Sequence, residues 1–224
     1  MIPSIELAVV IVALAFFSAI SFKKKALDLA GIIIANAVGL IIFYLGGISY
    51  FFLTVLFFVV AEASTRYSSK RTKISHERRT TGNIFGNSCV AVIALAMGVN
   101  IAFFGALAAA LADTLSSEFG MLSKKKPVLL TTFKEVEPGT DGGVTALGTW
   151  SSILGAGIIA SIHFAWNGSL FLFGVLILAG IFGSVVDSFF GAVFERHNIL
   201  GNTEVNFLGS GAGALLAFAL STLL

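Results

Sequence analysis

Charge is scarce in this sequence. Of its 224 residues only 12% are Asp, Glu, Lys or Arg, against about 25% in water-soluble domains, which leaves too little polar surface to cover a soluble fold. Cysteine is represented by Cys89 alone, so a disulfide scaffold is excluded, and within an apolar run that thiol reads as a small core residue. No Gly-Lys dipeptide occurs, which removes the Walker A loop from consideration. The apolar stretches lack period-two alternation, which argues against a membrane β-barrel. No cation precedes the first apolar run and no A-x-A-like cleavage site follows it; an Arg- and Ser-rich transit segment is missing too, so the first helix is expected to be a retained span.

What the chain does have is continuous hydrophobicity: 57% of its residues are apolar and the mean hydropathy is +0.96. At about 20 residues per crossing, the runs predict an all-α polytopic membrane bundle of about eight spans, at 5–21, 27–44, 48–62, 84–98, 101–120, 144–163, 170–194 and 205–224. Residues 1–224 then form a single integral membrane domain with no soluble domain. Several runs are short, so some helices are expected to be broken. All 14 Lys and Arg fall in alternate loops, among them the segments at about 63–83 and 121–143. The positive-inside rule makes these loops cytoplasmic and both termini external. Membrane lipids are the expected surroundings, nucleic acid is not an expected partner, and an oligomer is compatible with the pattern. The Lys23–Lys25 cluster reads mainly as a determinant of topology.

Two acids interrupt apolar helices near their cytoplasmic ends: Asp113 in FFGALAAALADTLSSEFG and Asp187 in LILAGIFGSVVDSFFGAVFE. A charge there costs several kcal/mol unless paired or solvated, which makes it a functional candidate. At about 100° per residue, Ser117 follows Asp113 on the same face, while Glu118 is about 140° round. Asp187 is flanked one turn away by Gly183 and Gly191, a small-residue stripe that lets a helix or a ligand approach. Hard oxygen ligands on two helices suit Mg²⁺ completed by water and substrate phosphate. They suit an ion or proton relay in a transporter equally well, and a structural ion pair remains open.

Two basic loops add chemistry. RTKISHERRTTGN, from Arg71 to Asn83, fails as a His-Glu-x-x-His metal motif because Thr80 stands where the second His is needed. Its cations Arg71, Lys73, Arg78 and Arg79, with His76 when protonated, suit phosphate. LTTFKEVEPGTDGGVT, from Leu130 to Thr145, holds Thr140 and Asp141 between Pro138-Gly139 and Gly142-Gly143. Such a turn can present successive N–H groups to an anion, with Lys134 and the start of the next helix adding positive potential. The match of Gly155 to Ala160 to a dinucleotide fingerprint lies inside a span without a preceding strand, and reads as helix packing.

Together, R-T-K-x-x-H-E-x-R-R-x-x-x-N (Arg71 to Asn83, with Asn87 one turn on), A-D-T-x-x-S-E-x-G (Ala112 to Gly120), T-T-x-K-x-V-x-P-G-T-D-G-G-V (Thr131 to Val144), G-S-x-x-D-S-x-x-G-A (Gly183 to Ala192) and Asn206 resemble the transmembrane protein 19 family, which includes the phytyl phosphate kinase of plant vitamin E synthesis. The resemblance runs from about position 71 to 206, and is more distant to polyprenol kinases and CDP-lipid synthases. It implies a CTP-dependent kinase that phosphorylates an isoprenoid monophosphate (phytyl, geranylgeranyl or similar). Carried over by residue, Asp113, Lys134 and Asp187 would be catalytic, and Asp113, Glu118 and Asp187 would hold Mg²⁺. Lys134 with Pro138, Gly139, Thr140, Asp141, Gly142 and Gly143 would bind the nucleotide. Arg71, Lys73, His76, Arg78, Arg79, Asn83 and Asn87 would bind the lipid phosphate, with Glu77, Ser117, Ser188 and Asn206 as supporting residues. Two departures stand out: Glu195 occupies a place where the family segment often ends in Gln, and Asn202-Thr203-Glu204 replaces an Asn-Asp pair before Asn206. The alternatives are a CDP-lipid synthase that attacks the α-phosphate, a polyprenol kinase, and a secondary transporter using its intramembrane acids.

Overall fold

The computed structural model describes residues 4–72 and 81–223. Over these the chain forms eight α-helices: α1 (Ser4–Lys23), α2 (Leu29–Gly46), α3 (Ile48–Thr72), α4 (Thr81–Ala96), α5 (Asn100–Gly120), α6 (Ala146–Asn167), α7 (Leu170–Phe190) and α8 (Asn202–Ser221). Seven are long and apolar enough to cross a membrane, and the expected helical membrane bundle is what forms. α4 differs: its 16 residues extend about 24 Å, less than the roughly 30 Å hydrocarbon core. At the end of α7 the helix does not break but continues through Gly191–Glu195 as a π-helical turn, a feature often found near functional sites.

Hydropathy does not mark the end of α3. The helix continues to Thr72, well into the segment assigned to a loop, because its STRYSSKRT end is polar without containing a helix breaker. Between α5 and α6 the chain forms a two-stranded antiparallel ribbon, β1 (Val128–Leu129) and β2 (Gly143–Val144), with Val128 opposite Val144 and Leu129 opposite Gly143.

α5 is the hub. Every residue from Ala102 to Ala112 is buried, along with Thr114 and Leu115. The small side chains of GALAAALA allow this: with little bulk between them, backbones approach closely and dispersion contacts replace lipid contacts. A Cβ on Gly155 would sit 2.6 Å from the Leu111 carbonyl oxygen, so the GAGIIA run serves the α5–α6 contact as expected. Gly183 faces Ala109 and the Gly209 carbonyl, and so locks α7 against α5 and α8. Around α5 the core gathers Phe57, Phe103, Phe104, Leu107, Leu111, Ile159 and Leu176. By contrast, among the described residues α1 buries only Val10, which packs with Phe43 and Phe51.

Candidate functional site: a carboxylate-lined polar cavity

The C-terminal ends of α3, α5 and α7 meet the N-terminal ends of α4, α6 and α8, because consecutive spans alternate in direction. Among these ends lies a cavity of about 690 Å³. The loop carrying β1 and β2 and the π turn after α7 complete its wall.

Asp113 and Asp187 face each other across the α5–α7 contact, their carboxyls within hydrogen-bonding reach. The buried Ser184 hydroxyl approaches Asp113 Oδ1 at 3.5 Å. The small-residue stripe beside Asp187 accommodates protein: Gly183 takes α5 and α8, and Gly191 takes the loop, where an added Cβ would lie 3.0 Å from the Gly142 nitrogen. Asp187 is held by its neighbour too, since a Cβ on Gly209 would come within 2.9 Å of the Asp187 Cβ. Two abutting carboxylates repel unless a proton or a cation lies between them. That donor pair fits Mg²⁺, which favours one or two carboxylates plus phosphate oxygens and water over an all-protein cage.

Glu118 occupies another part of the wall, where it accepts a 2.6 Å hydrogen bond from Thr65 Oγ1 of α3. Among the described residues, no group of three or more His, Cys, Asp or Glu is close enough to enclose a metal. The expected ligands Asp113, Glu118 and Asp187 thus do not form one cluster among the described residues: Asp113 and Asp187 face each other, while Glu118 bonds Thr65.

Residues 138–143 all line the cavity, but the turn consumes part of the expected nest. The Thr140 amide donates to the Glu137 carbonyl at 3.2 Å and the Gly143 amide to the Thr140 carbonyl at 2.9 Å. The amides of Gly139, Asp141 and Gly142 have no acceptor among the described residues. Gly139 and Gly142 adopt φ of +88° and +74°, a region that glycine enters without steric cost. Thr145 caps α6 by accepting from the Gly148 amide at 3.0 Å, and it lines the cavity, so the positive end of α6 points there. Partial burial pushes the Asp141 carboxyl above the usual carboxylate range.

Lys134 stands outside this lining, on the exposed turn between the strands. Lys125 lines the cavity instead. The ribbon accounts for the exchange: Leu129 N–H donates to the Lys134 carbonyl at 2.9 Å and Val136 N–H to the Pro127 carbonyl at 2.9 Å, folding residues 130–136 back as a flap. Lys126, next along, is engaged by Glu137 at 2.8 Å, and this partner holds its ammonium above the usual lysine range.

An amide cluster forms the wall between α4 and α8. Asn83 Nδ2 and Asn206 Nδ2 each donate to Asn202 Oδ1 at 2.8 Å, and Asn202 also bonds Glu195 of the π turn. Asn87, Ser117, Ser188 and Asn206 line the cavity as well. Glu204 has a structural task, accepting from the Gly201 amide at 3.0 Å at the start of α8. Arg71 is not in the lining; its guanidinium stacks over Tyr67 with 5.4 Å to the ring centroid. Lys73, His76, Glu77, Arg78 and Arg79 lie outside the described residues. Sequence reasoning did not place Thr65, Lys125, Thr145 or Asn202 in the site, although Thr145, three residues before a helical glycine, is a capping candidate and Asn202 stands in the segment that replaces the family's Asn-Asp pair.

Fold and cavity together define an integral membrane protein with a polar, acid-rich chamber at one end of a helix bundle. The chain belongs to the family described as integral membrane protein DUF92, which it matches over residues 11–214. It is 35% identical over 204 residues to an uncharacterized membrane protein of Methanocaldococcus jannaschii, covering 87% of this chain and 85% of the relative. It is 29% identical to protein PGR of Arabidopsis thaliana, over 84% of this chain and 78% of that protein. Identity to the chloroplastic protein VTE6 of the same plant is 25%, over 85% of this chain and 64% of that protein. These matches bear out the family resemblance drawn from the motifs. No solved structure matches.

Proposed function

We propose that the protein is a kinase that transfers the γ-phosphoryl group of CTP to an isoprenoid monophosphate. The observation that carries this is the charge of the cavity. Asp113, Glu118, Asp141, Asp187 and Glu195 line it with Lys125 as the only cation among the described residues. Carboxylates beside a polyphosphate favour divalent cations between them, the usual setting for phosphoryl transfer. Its location supports a substrate that has a lipid tail between helices and a phosphate at the membrane boundary. By the positive-inside rule that boundary is cytoplasmic, where soluble nucleotide arrives.

Asp113 and Asp187 would hold Mg²⁺, which when bound neutralises the nucleotide phosphates. The free amides of Gly139, Asp141 and Gly142, the α6 terminus and Lys125 orient the β- and γ-phosphates. Asn83 and Asn87, with the basic segment that follows α3, receive the lipid phosphate. An oxygen of that phosphate attacks the γ-phosphorus, the bond to the β-phosphate oxygen breaks, and CDP leaves. No strong general base is needed, because a phosphate monoester is already anionic near neutral pH.

Incubation of purified protein with γ-labelled CTP, Mg²⁺ and prenyl monophosphates should give labelled prenyl diphosphate and CDP. Pyrophosphate with a CDP-linked lipid would instead identify a cytidylyltransferase, and substrate uptake without phosphorylated product a transporter. Lys125→Ala should raise the KM for CTP about ten- to a hundredfold, the worth of a charge-assisted phosphate contact. Lys134→Ala should change it less than about threefold, as expected for an exposed cation away from the site. The reverse ranking would return the nucleotide role to Lys134.

A further inference from the structure

A second cavity, of about 350 Å³, lies among α1, α2 and α3, within the size range of ligand sites. None of the acids of the polar chamber lines it; α3 gives Thr65 to the chamber but Glu62 and Arg66 to this cleft. Its walls are apolar, with Phe17, Leu27, Ile32, Phe51 and Phe58 among them. The polar pair within the wall is closed on itself: Asn36 Nδ2 donates to Ser18 Oγ and to the Ile32 carbonyl, both at 2.9 Å. From Phe51 to Arg66 the α3 wall extends about 22 Å, more than one leaflet of a hydrocarbon core about 30 Å thick.

The basic end of the bundle closes the cleft with charge. Arg66 Nε donates to Glu62 Oε1 at 2.5 Å, and its Nη2 donates to the Lys24 carbonyl at 3.2 Å. That second bond ties the α1–α2 turn to α3, so Lys24 and Arg66 stand together at the mouth. A guanidinium has five N–H donors, and these bonds use two of them. Two cations against one carboxylate leave the mouth positive, above the apolar walls of the cleft.

We propose that this cleft seats an acyl chain of an anionic phospholipid from the surrounding bilayer, with its phosphate held by Lys24 and Arg66. Charge complementarity selects the occupant: a zwitterionic lipid offers the same tail but brings its own cation to a mouth that is already positive. The site is independent of the reaction proposed above.

The test uses the whole chain in detergent, exchanged into micelles containing equal phosphatidylglycerol and phosphatidylcholine, with retained lipid counted by native mass spectrometry. Phosphatidylglycerol should be retained preferentially. Lys24→Gln and Arg66→Gln should each lower its retention about fivefold. Ala35→Phe, which fills the apolar wall, should abolish it with both cations in place. Because Lys24 is exposed, its variant remains informative if Ala35→Phe fails to fold. Equal retention of the two lipids, or retention unmoved in Lys24→Gln, would overturn the assignment. Displacement of phosphatidylglycerol by a prenyl monophosphate with the same sensitivity to Lys24→Gln would overturn it as well, by making the cleft a substrate site.

Discussion

Asp113→Asn and Asp187→Asn should each reduce turnover at least about a hundredfold while leaving the bundle as stable in detergent as the parent, or more so. The two effects have one cause. The carboxyls face each other at hydrogen-bonding reach across a helix contact, so each raises the cost of charge on the other. Converting one to an amide removes that repulsion and keeps a hydrogen-bonding group of the same shape. It also removes half of the pair proposed to hold Mg²⁺. Even partners outside the ligand sphere are worth 10- to 100-fold in metal affinity or activity, so loss of a ligand should cost at least as much. Steady-state turnover and a thermal melt on the same preparation provide the check. Full turnover in either variant would remove that aspartate from the mechanism, whereas a collapsed melt would make the pair structural.

Gly142→Ala should be the most damaging single methyl group in the loop. Gly142 has φ +74°, and a Cβ there would overlap the backbone nitrogen and Cα of Ala192 in the π turn. The left-handed conformation costs a non-glycine residue about 1–2 kcal/mol, and forced overpacking adds about 1–3. Neither contact can yield cheaply, because the obstacle is backbone. The loop should lift from the π turn and lose CTP binding, with protease cleavage between residues 130 and 143 rising in parallel. Gly157→Ala is the control: nothing lies within 4 Å of its added Cβ, so normal kinetics and a gain of roughly 0.5–1 kcal/mol from helix propensity are expected. Normal CTP kinetics in Gly142→Ala would show that the loop can move without consequence for the nucleotide.

What could be read from the residues depended on whether the signal was local. Asp113 and Asp187 were visible because a lone carboxylate in an apolar run has no ordinary solvation, whatever surrounds it. Gly142 was visible because dense glycine in a short loop implies unusual backbone angles. The exchange of Lys134 for Lys125 was not, since it follows from the pairing of Val128 with Val144, and two-residue strands leave no periodicity. Nor was the diversion of Glu118 to Thr65, 53 residues away in sequence, which depends on how α3 crosses α5. Asn202 was similarly hidden: its value lies in joining α4, α8 and the π turn, and no spacing rule connects them.

The burial of α5 has a consequence for biogenesis. A segment handed from the translocon to lipid one helix at a time must partition by its own hydrophobicity, and α5, α6 and α8 are less apolar than α1 and α2, with α5 also carrying Asp113 and Glu118. α1 and α2, more apolar and largely lipid-facing, can enter unaided. α5 should then linger at the protein-conducting channel until α6, α7 and α8 emerge to shelter it. The helix that carries Asp113 would be committed to the bilayer last, in company with the helices that complete its chamber.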